Sequence, residues 1–281
     1  QCSGIIVSGR FVITAAHCLY NNDVIDTISS FNSVFKLNES DLVLHPNYTD
    51  SGDSSSGEDV AIIKLNHQAN YSKLNFMFNL NNDPFNYSED VQIKGFGGTN
   101  GSLNQANLKM TDWRYCSECS TRGEYSLNAE MIDSSHTTGG DSGAAWLNSN
   151  DEIISTHKGS SLVEYPSGLT QRETYSTNLH YAKDFILENI DSWNYPTNVI
   201  TNGKTTITVQ SLHKNNVIDS AYTSGELTLI TEESSCLSKT ISPFEKCTYV
   251  VEGNSGELFI SDSEVINIKN QDATGDGSSD G

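Results

Sequence analysis

A chain of 281 residues, 36% of them apolar, is long enough for one large globular domain and one small domain. Sixteen basic and 36 acidic residues give a net charge of −20, which argues against binding to nucleic acid or to an anionic membrane, because both need a basic face. No apolar run is long enough to span a membrane. Ser, Thr, Asn, Gly and Asp recur throughout, which is typical of an all-β protein with many turns.

Short apolar runs bounded by turn residues recur along the first half of the chain at the spacing of a sandwich or barrel. They predict strands over Cys2–Val7, Arg10–Thr14, Val34–Leu37, Val60–Leu65, Val91–Gly95, Ala144–Leu147 and Glu152–Thr156. The polar stretch Asp50–Gly57 is predicted to be an exposed loop. Because the chain opens on a strand-like segment, we expect further residues upstream of Gln1.

The six cysteines fall into three neighbourhoods, and this predicts disulfides and an oxidising compartment. The neighbouring pairs are Cys2 with Cys18, Cys116 with Cys119, and Cys236 with Cys247. The second pair is a single C-x-x-C with no second half, so we expect no metal site, and a local disulfide or two free thiols both stay open. No acidic calcium loop is present in the sequence either.

One helix and a second group of strands are predicted in the last hundred residues. Apolar residues at helical spacing predict a helix over Tyr181–Trp193, and Tyr195–Asn198 then breaks the pattern. Alternating residues predict strands of a small antiparallel domain over Thr205–Leu212, Glu226–Thr231, Cys247–Val251 and Glu257–Ile260. We therefore expect one domain over residues 1–196, a small β-sandwich over 197–269, and a disordered tail rich in Asp, Gly and Ser over 270–281.

Three short motifs carry residue types that nucleophilic catalysis needs. Ser142 lies in a glycine-rich run, where a tight turn can expose its hydroxyl and direct the N–H groups of Gly140 and Ser142 at a developing oxyanion. His17 follows an apolar run and two small alanines, which allow close packing beside the imidazole. Asp59 directly precedes an apolar strand, where an acid can orient a histidine. Each motif alone has an ordinary structural explanation: a turn, a structural histidine, or an acid at a strand entry.

Taken together, the three motifs resemble the chymotrypsin/trypsin superfamily. The order His, Asp, Ser, with spacings of 42 residues (17 to 59) and 83 residues (59 to 142), is similar to that of trypsin-fold enzymes. The resemblance covers roughly Gln1 to Trp193 and includes the cysteine pair at the histidine loop, His45–Tyr48, Gly95–Thr99 and the closing helix.

The resemblance implies two six-stranded β-barrels, with the active site in the cleft between them. It implies that His17 is the general base and then the general acid, that Asp59 orients it, and that Ser142 is the nucleophile. Glu58 and Asp53 are the competing acids, and Asp59 is preferred because it adjoins the strand.

The sequence around the nucleophile departs from that of trypsins. His136 stands six residues before the serine, where trypsins have an aspartate at the base of the primary specificity pocket, and Thr138 replaces a familiar cysteine. The segment is more similar to glutamyl endopeptidases and the related exfoliative toxins, through the run Thr137–Gly140, then Ser142 and Gly143, and a histidine fifteen residues after the serine at His157.

That second resemblance implies that Thr137 and His157 hold a substrate carboxylate, and we expect His136 and Ser160 to line the same pocket. Lys158 is a further source of positive field. The alternative is that His157 is an ordinary strand residue and that the pocket accepts a small polar side chain.

Asp141 differs from the asparagine that glutamyl endopeptidases usually carry before the nucleophile. In trypsin-like zymogens this aspartate receives the new N-terminal amine after activation, and the resemblance implies the same role here.

The sequence therefore predicts a secreted serine endopeptidase that acts on protein or peptide substrates through an acyl-enzyme and needs no cofactor. The second resemblance implies cleavage after Glu or Asp. The alternative is a catalytically silent homologue that serves as a binding scaffold. By fold analogy, we expect the C-terminal domain to be an immunoglobulin-like sandwich that binds substrate, associates with a cell surface or acts as a spacer.

Overall fold

Strands dominate the computed structural model, which describes residues 1–20, 27–30, 33–49, 58–112 and 125–274. Cys116, Cys119, the competing acid Asp53 and the loop predicted over Asp50–Gly57 lie outside these described residues. The all-β fold class predicted from the sequence is confirmed.

The N-terminal part forms a four-stranded antiparallel sheet in the order β1-β2-β6-β5 and a separate two-stranded ladder. The sheet contains β1 (Ile5–Val7), β2 (Phe11–Thr14), β5 (Leu42–Leu44) and β6 (Ala61–Lys64), and the ladder contains β3 (Thr27–Ser30) and β4 (Ser33–Lys36). The described residues here do not close into the six-stranded barrel that was predicted, because β3 and β4 pair only with each other.

The middle of the chain closes into an antiparallel barrel in the order β10-β11-β12-β9-β8-β7. Its strands are β7 (Asp90–Gly95), β8 (Asn104–Thr111), β9 (Ser126–Met131), β10 (Ala145–Leu147), β11 (Ile153–Glu164) and β12 (Thr170–Asn178). Val91, Ile93, Leu108, Met110 and Trp146 are among the buried side chains that fill its interior. One of the two predicted six-stranded barrels is therefore confirmed.

The described residues form two α-helices, α1 (His17–Tyr20) and α2 (Lys183–Ile190), and α2 is preceded by a 3-10 turn over Leu179–Ala182. Phe185 and Ile186 of α2 are buried in a core that also contains residues of the first sheet and of the barrel. The predicted C-terminal helix of the trypsin-like fold is thus present. Further 3-10 turns cover Glu39–Asp41, Thr231–Glu233, Ser235–Leu237 and Gln271–Thr274.

The last part of the chain forms two four-stranded sheets around one shared core. The first contains β13 (Ser192–Asn194), β15 (Lys204–Leu212), β17 (Thr228–Leu229) and β18 (Lys246–Glu252). The second contains β14 (Asn198–Thr201), β16 (Tyr222–Gly225), β19 (Gly256–Ser261) and β20 (Glu264–Asn270), with β14 and β20 parallel. Trp193, Val209, Tyr249 and Ile260 are among the buried core residues. The arrangement is a small sandwich, and its description as immunoglobulin-like stays a prediction.

Two predicted boundaries differ from the structure. Asp191 adopts a left-handed conformation with φ of 41° and ends α2, so the helix does not continue to Trp193. Trp193 instead lies in β13 with its side chain buried in the sandwich core, where its large apolar surface is removed from water. The sandwich sheets therefore begin before the boundary predicted at residue 197.

The predicted disordered tail also begins too early. Asn270 is the last residue of β20, and the next four residues form a 3-10 turn, whereas residues 275–281 lie outside the described part. Strand pairing of Asn270 with Thr201 accounts for the difference at the start of the tail.

A buried polar interface joins the sandwich to the rest of the chain. The Tyr71 hydroxyl donates to the Tyr195 carbonyl at 2.7 Å and accepts from the Gly9 N–H at 2.9 Å. The Gln68 side-chain amide donates to the Val265 carbonyl at 2.8 Å. These groups are paired across the interface, so the two parts are held in a defined orientation.

Disulfides join Cys2 to Cys18 and Cys236 to Cys247, which are two of the pairings expected from the spacing. The first connects the start of the chain to α1, and the second connects a 3-10 turn to β18. Within the residues described, no helix has both the length and the apolar character needed to cross a membrane.

Candidate active site

The first sheet places His17 and Asp59 at the same end of its two central strands, β2 and β6. In the antiparallel pair formed by β2 and β6, Thr14 lies opposite Ala61. His17 follows the end of β2 and Asp59 precedes the start of β6. Because the strands are antiparallel, both residues lie at the same end of the pair. Because the two strands are buried runs of apolar residues, this register is well specified.

The Asp59 carboxylate contacts His17 at two points. One oxygen, Oδ2, is 2.7 Å from Nδ1 of the ring, and the other, Oδ1, accepts the backbone N–H of His17 at 2.8 Å. Asp59 is buried, whereas the side chain of His17 is 32% exposed. A carboxylate at Nδ1 favours the tautomer that carries its proton there, which leaves Nε2 free to accept a proton.

Ser142 lies on a tight turn directly before β10. Gly140 and Gly143 have φ values of 105° and 85°, a region that favours glycine. A Cβ at Gly143 would collide with the Thr14 hydroxyl and the Ser3 carbonyl, so glycine allows this turn to approach the first sheet closely. The turn carrying the serine is therefore packed against the strand end that precedes His17.

Two further contacts hold the Ser142 backbone at the histidine loop. The N–H of Ser3 donates to the Ser142 carbonyl at 2.8 Å, and Sγ of Cys18 lies 3.7 Å from the same oxygen. The Ser142 side chain is half-buried. No hydrogen bond joins its hydroxyl to the His17 ring in the described part of the chain. Serine–histidine contacts in unliganded sites are often loose and tighten when substrate binds.

Asp141 lies buried beside the serine. One carboxylate oxygen accepts the N–H of Gly97 at 2.8 Å, and the other accepts the N–H of Thr138 at 2.8 Å. A Cβ at Gly97 would lie between 2.6 and 2.8 Å from the carboxylate atoms, so the glycine leaves the space that Asp141 occupies. The carboxylate thus links the serine turn to the loop after β7.

The predicted pocket residues differ in their exposure. His157 pairs in both directions with the serine turn: its N–H donates to the Ala144 carbonyl at 2.7 Å, and its carbonyl accepts from the Gly143 N–H at 2.8 Å. Its ring is buried and accepts the indole N–H of Trp146 on Nδ1 at 3.2 Å. Burial and, to a smaller extent, the nearby His17 together lower the pKa of His157 to about 3. The ring is therefore neutral at physiological pH, with its proton on Nε2.

Thr137 is also buried, and its hydroxyl has no hydrogen-bond partner among the described residues. His136 is exposed, with its Nδ1 3.0 Å from the Thr137 carbonyl. Ser160 is half-buried and accepts a hydrogen bond from Arg172 at 3.0 Å. A buried hydroxyl without a partner is energetically costly, and such groups are common where a ligand supplies the partner.

Ser3 is a site residue that the sequence did not indicate. Its hydroxyl donates to the Gly140 carbonyl at 2.9 Å and accepts the N–H of Phe96 at 3.0 Å. The backbone N–H of Ser3 also donates to the Ser142 carbonyl. Ser3 therefore contacts the serine turn at both Gly140 and Ser142. A serine beside a cysteine at a strand entry carries no recognisable motif, so only the coordinates reveal this role.

Replacing Ser3 with alanine is expected to lower kcat about fivefold with little change in KM, because the turn that carries the predicted oxyanion donors loses a hydrogen bond of about 1 kcal/mol. Steady-state kinetics on a peptide substrate measure the effect. Ser8→Ala is the matched control, since Ser8 is also buried but its hydroxyl has no partner in the described part of the chain. Equal kcat values for the two variants would contradict this role for Ser3.

Comparison with known protein families supports the resemblance that the sequence motifs indicated. A sequence model of the family described as Trypsin matches residues 1–186.

Three solved structures with related folds illustrate the likeness. Mouse neuropsin, a serine protease, has a TM-score of 0.53 and 20% identity over 68% of this chain and 89% of its own. The protease VesB of Vibrio cholerae has a TM-score of 0.50 and 15% identity, and the match covers 96% of this chain and 90% of VesB. The secreted serine protease VesC of the same organism has a TM-score of 0.50 and 13% identity, with coverage of 96% of this chain and 66% of VesC. These identities are low and indicate a shared fold, whereas the family match covers most of the chain. The chain therefore belongs to the trypsin family of serine proteases.

Proposed function

We propose that this chain is a secreted serine endopeptidase in which Ser142 is the nucleophile, His17 the general base and acid, and Asp59 the residue that orients His17. The observation that carries the proposal is the two-point contact of Asp59 with the ring and the backbone N–H of His17. This contact leaves Nε2 of His17 as the only ring nitrogen able to take a proton from a hydroxyl. Attack by Ser142 would then form an acyl-enzyme, which water hydrolyses with the same histidine as base.

The oxyanion in this mechanism is bound by the backbone N–H groups of Gly140 and Ser142. The left-handed conformation of Gly140 supports this assignment, because it turns the chain sharply just before the nucleophile. Donors fixed in place by the fold stabilise the tetrahedral intermediate without reorganisation, which is usually the largest single contribution to catalysis.

We propose that the primary specificity pocket binds an acidic side chain of the substrate. Thr137 has a hydroxyl without a partner in the described structure, and His157 is a neutral ring whose Nε2–H is available as a donor. Donors of this kind suit a carboxylate. His136 and Ser160 complete the proposed polar lining, and the preference is for cleavage after Glu or Asp.

Asp141 is assigned to activation. Its two hydrogen bonds to Gly97 and Thr138 leave further acceptor capacity on a carboxylate, which has about four lone-pair sites. A new N-terminal amine could occupy that capacity and order the serine turn. The two disulfides support secretion, and the fold is shared with VesC, which is a secreted protease. Association with a cell surface through the sandwich stays a prediction.

A fluorophosphonate probe together with cleavage mapping on a peptide library tests this function. We expect the activated full-length protein to be labelled at Ser142, labelling to be lost in His17→Ala, and cleavage to follow Glu or Asp. Absence of labelling would favour the silent homologue that acts as a scaffold. Labelling with predominant cleavage after Lys or Arg would leave the enzyme intact and contradict the acidic pocket.

A further inference from the structure

Strand β12 carries a row of polar side chains that face the inside of the barrel. Thr174 lies opposite Ala129 of β9, and Ser176 lies opposite Leu127. Ala129 and Leu127 belong to the buried barrel core, and side chains directly opposite each other in a sheet point to the same face. Because alternate residues of a strand share a face, Arg172 continues the same row toward its end.

Strand β11 adds residues to this row. His157 lies opposite Ser176, and Ser160 lies opposite Thr174. Nη1 of Arg172 donates to the Ser160 hydroxyl at 3.0 Å, so the guanidinium folds along the row toward the pocket residues. The row thus begins beside the serine turn, at His157, and ends in a cationic side chain.

Arg172 has no counter-ion among the described residues. It is half-buried, and across the residues that the structure describes no carboxylate lies within ion-pair distance of it. The nearby carboxylates bind other groups: Glu130 accepts from Gln171 at 2.9 Å, and Glu173 accepts from Tyr165. In a chain with 36 acidic and 16 basic residues, a half-buried arginine without an acidic partner in the described structure is a candidate for binding an anion from outside.

A second observation points to the same ligand. The hydroxyl of Thr174, between Arg172 and Ser176 in the row, is fully buried and has no partner within the described structure. Like the hydroxyl of Thr137, it is a donor that the protein leaves unused. A guanidinium has five donor positions, and Ser160 uses one of them. The pocket therefore combines unused neutral donors with one unpaired positive charge.

We propose that Arg172 is the residue that determines specificity for an acidic substrate side chain, by binding the carboxylate of the residue before the cleaved bond together with Ser160 and Thr174. This inference rests on the proposed function, since it assumes that the primary pocket accepts Glu or Asp. It supplies the positive charge that a neutral His157 lacks. When substrate binds, the Arg172 guanidinium turns from the Ser160 hydroxyl to the substrate carboxylate, or the two side chains bind the carboxylate together.

Matched peptide substrates that differ only in Glu or Gln before the cleaved bond test the proposal. For Arg172→Gln, we expect kcat/KM for the Glu peptide to fall about 100-fold, with the Gln peptide changed less than about threefold, because one partner of a charge pair is removed. Arg172→Lys keeps the charge but not the planar fork, and should retain part of the preference. Fluorophosphonate labelling of Ser142 should proceed at the wild-type rate in both variants, which shows that they are folded and competent.

Two control variants remove a positive charge elsewhere. Lys269→Gln alters an exposed lysine of β20 and should keep the Glu preference. Lys158→Gln removes the other cation near the pocket, on β11, and separates its contribution from that of Arg172; it should also keep the preference. An unchanged preference for the Glu peptide in Arg172→Gln, or loss of that preference in Lys158→Gln instead, would overturn the proposal. A wild-type protein that cleaves both peptides equally would overturn the acidic specificity itself. This second failure is distinguishable from the first because it is measured on the wild-type protein alone.

Discussion

Replacing Asp59 with asparagine is expected to lower kcat about 10⁴-fold at neutral pH and to leave KM nearly unchanged. The carboxylate accepts from the His17 ring and from the His17 backbone N–H, at 2.7 and 2.8 Å. An asparagine can present an oxygen to one of these groups but then turns its NH₂ toward the other. The ring would change tautomer, and Nε2 could no longer accept the proton of the Ser142 hydroxyl.

The neighbouring acid provides a control for this prediction. Glu58→Gln removes one negative charge at the adjacent position. The Glu58 backbone carbonyl accepts the N–H of Val60, and its side chain makes no hydrogen bond to the residues that the structure describes. Its kcat should stay within about twofold of wild type. Single-turnover kinetics with an activated ester substrate measure the acylation step directly. A loss in Glu58→Gln as large as in Asp59→Asn would show a general charge effect, and the assignment of Asp59 as the orienting residue would be wrong.

The residues proposed for catalysis could be found from the sequence because each lies next to a strongly apolar strand. Burial of Phe11, Val12 and Ile13 fixes β2, and burial of Ile62 and Ile63 fixes β6. Once these strands are recognised and the family order is seen, His17 and Asp59 are expected at the same sheet edge. The glycines around Ser142 likewise appear in the sequence as a turn.

The sequence could not indicate strands whose inward side chains are polar. In β12, Thr174 and Ser176 face the barrel interior as hydroxyls, so the strand lacks the apolar alternation on which prediction depends. The same polarity that conceals β12 gives the proposed pocket its donors. Ser3 and Arg172 were missed for a related reason: each acts through a contact with a residue distant in the chain, and no spacing rule reports such contacts.

The position of the sandwich relative to the barrel could not be predicted from the sequence either, because it depends on a few buried polar groups. Gln210 of β15 is fully buried, and its side chain makes four hydrogen bonds across and within the interface. Its Oε1 accepts the Met77 N–H at 2.8 Å and the Asn194 side-chain amide at 3.4 Å, and its Nε2 donates to the carbonyls of Met77 and Phe244 at 2.6 and 3.1 Å. Met77 itself bridges to Ile153 at the start of barrel strand β11, so Gln210 connects the sandwich directly to the barrel.

Replacing Gln210 with alanine is therefore expected to destabilise the protein by about 3 kcal/mol, because a buried N–H and two buried carbonyls lose their partner. The midpoint of urea unfolding should fall by about 1 M at an m value of about 3 kcal/mol/M. Gln105→Ala is the matched control: Gln105 is exposed, its side-chain amide donates to the Asn107 amide oxygen at 2.6 Å, and the change should shift stability by less than about 0.5 kcal/mol.

Two probes of unfolding distinguish a docked sandwich from an independent one. Near-UV circular dichroism follows the whole chain, and fluorophosphonate labelling at increasing urea follows the proposed active site alone. If Gln210 couples the two parts, Gln210→Ala should lower both midpoints or separate them, since the protease part of the chain loses a contact that the sandwich supplies. Equal midpoints for Gln210→Ala and Gln105→Ala would mean that the sandwich contributes nothing to the stability of the protease part through this residue, and it would then act as a spacer.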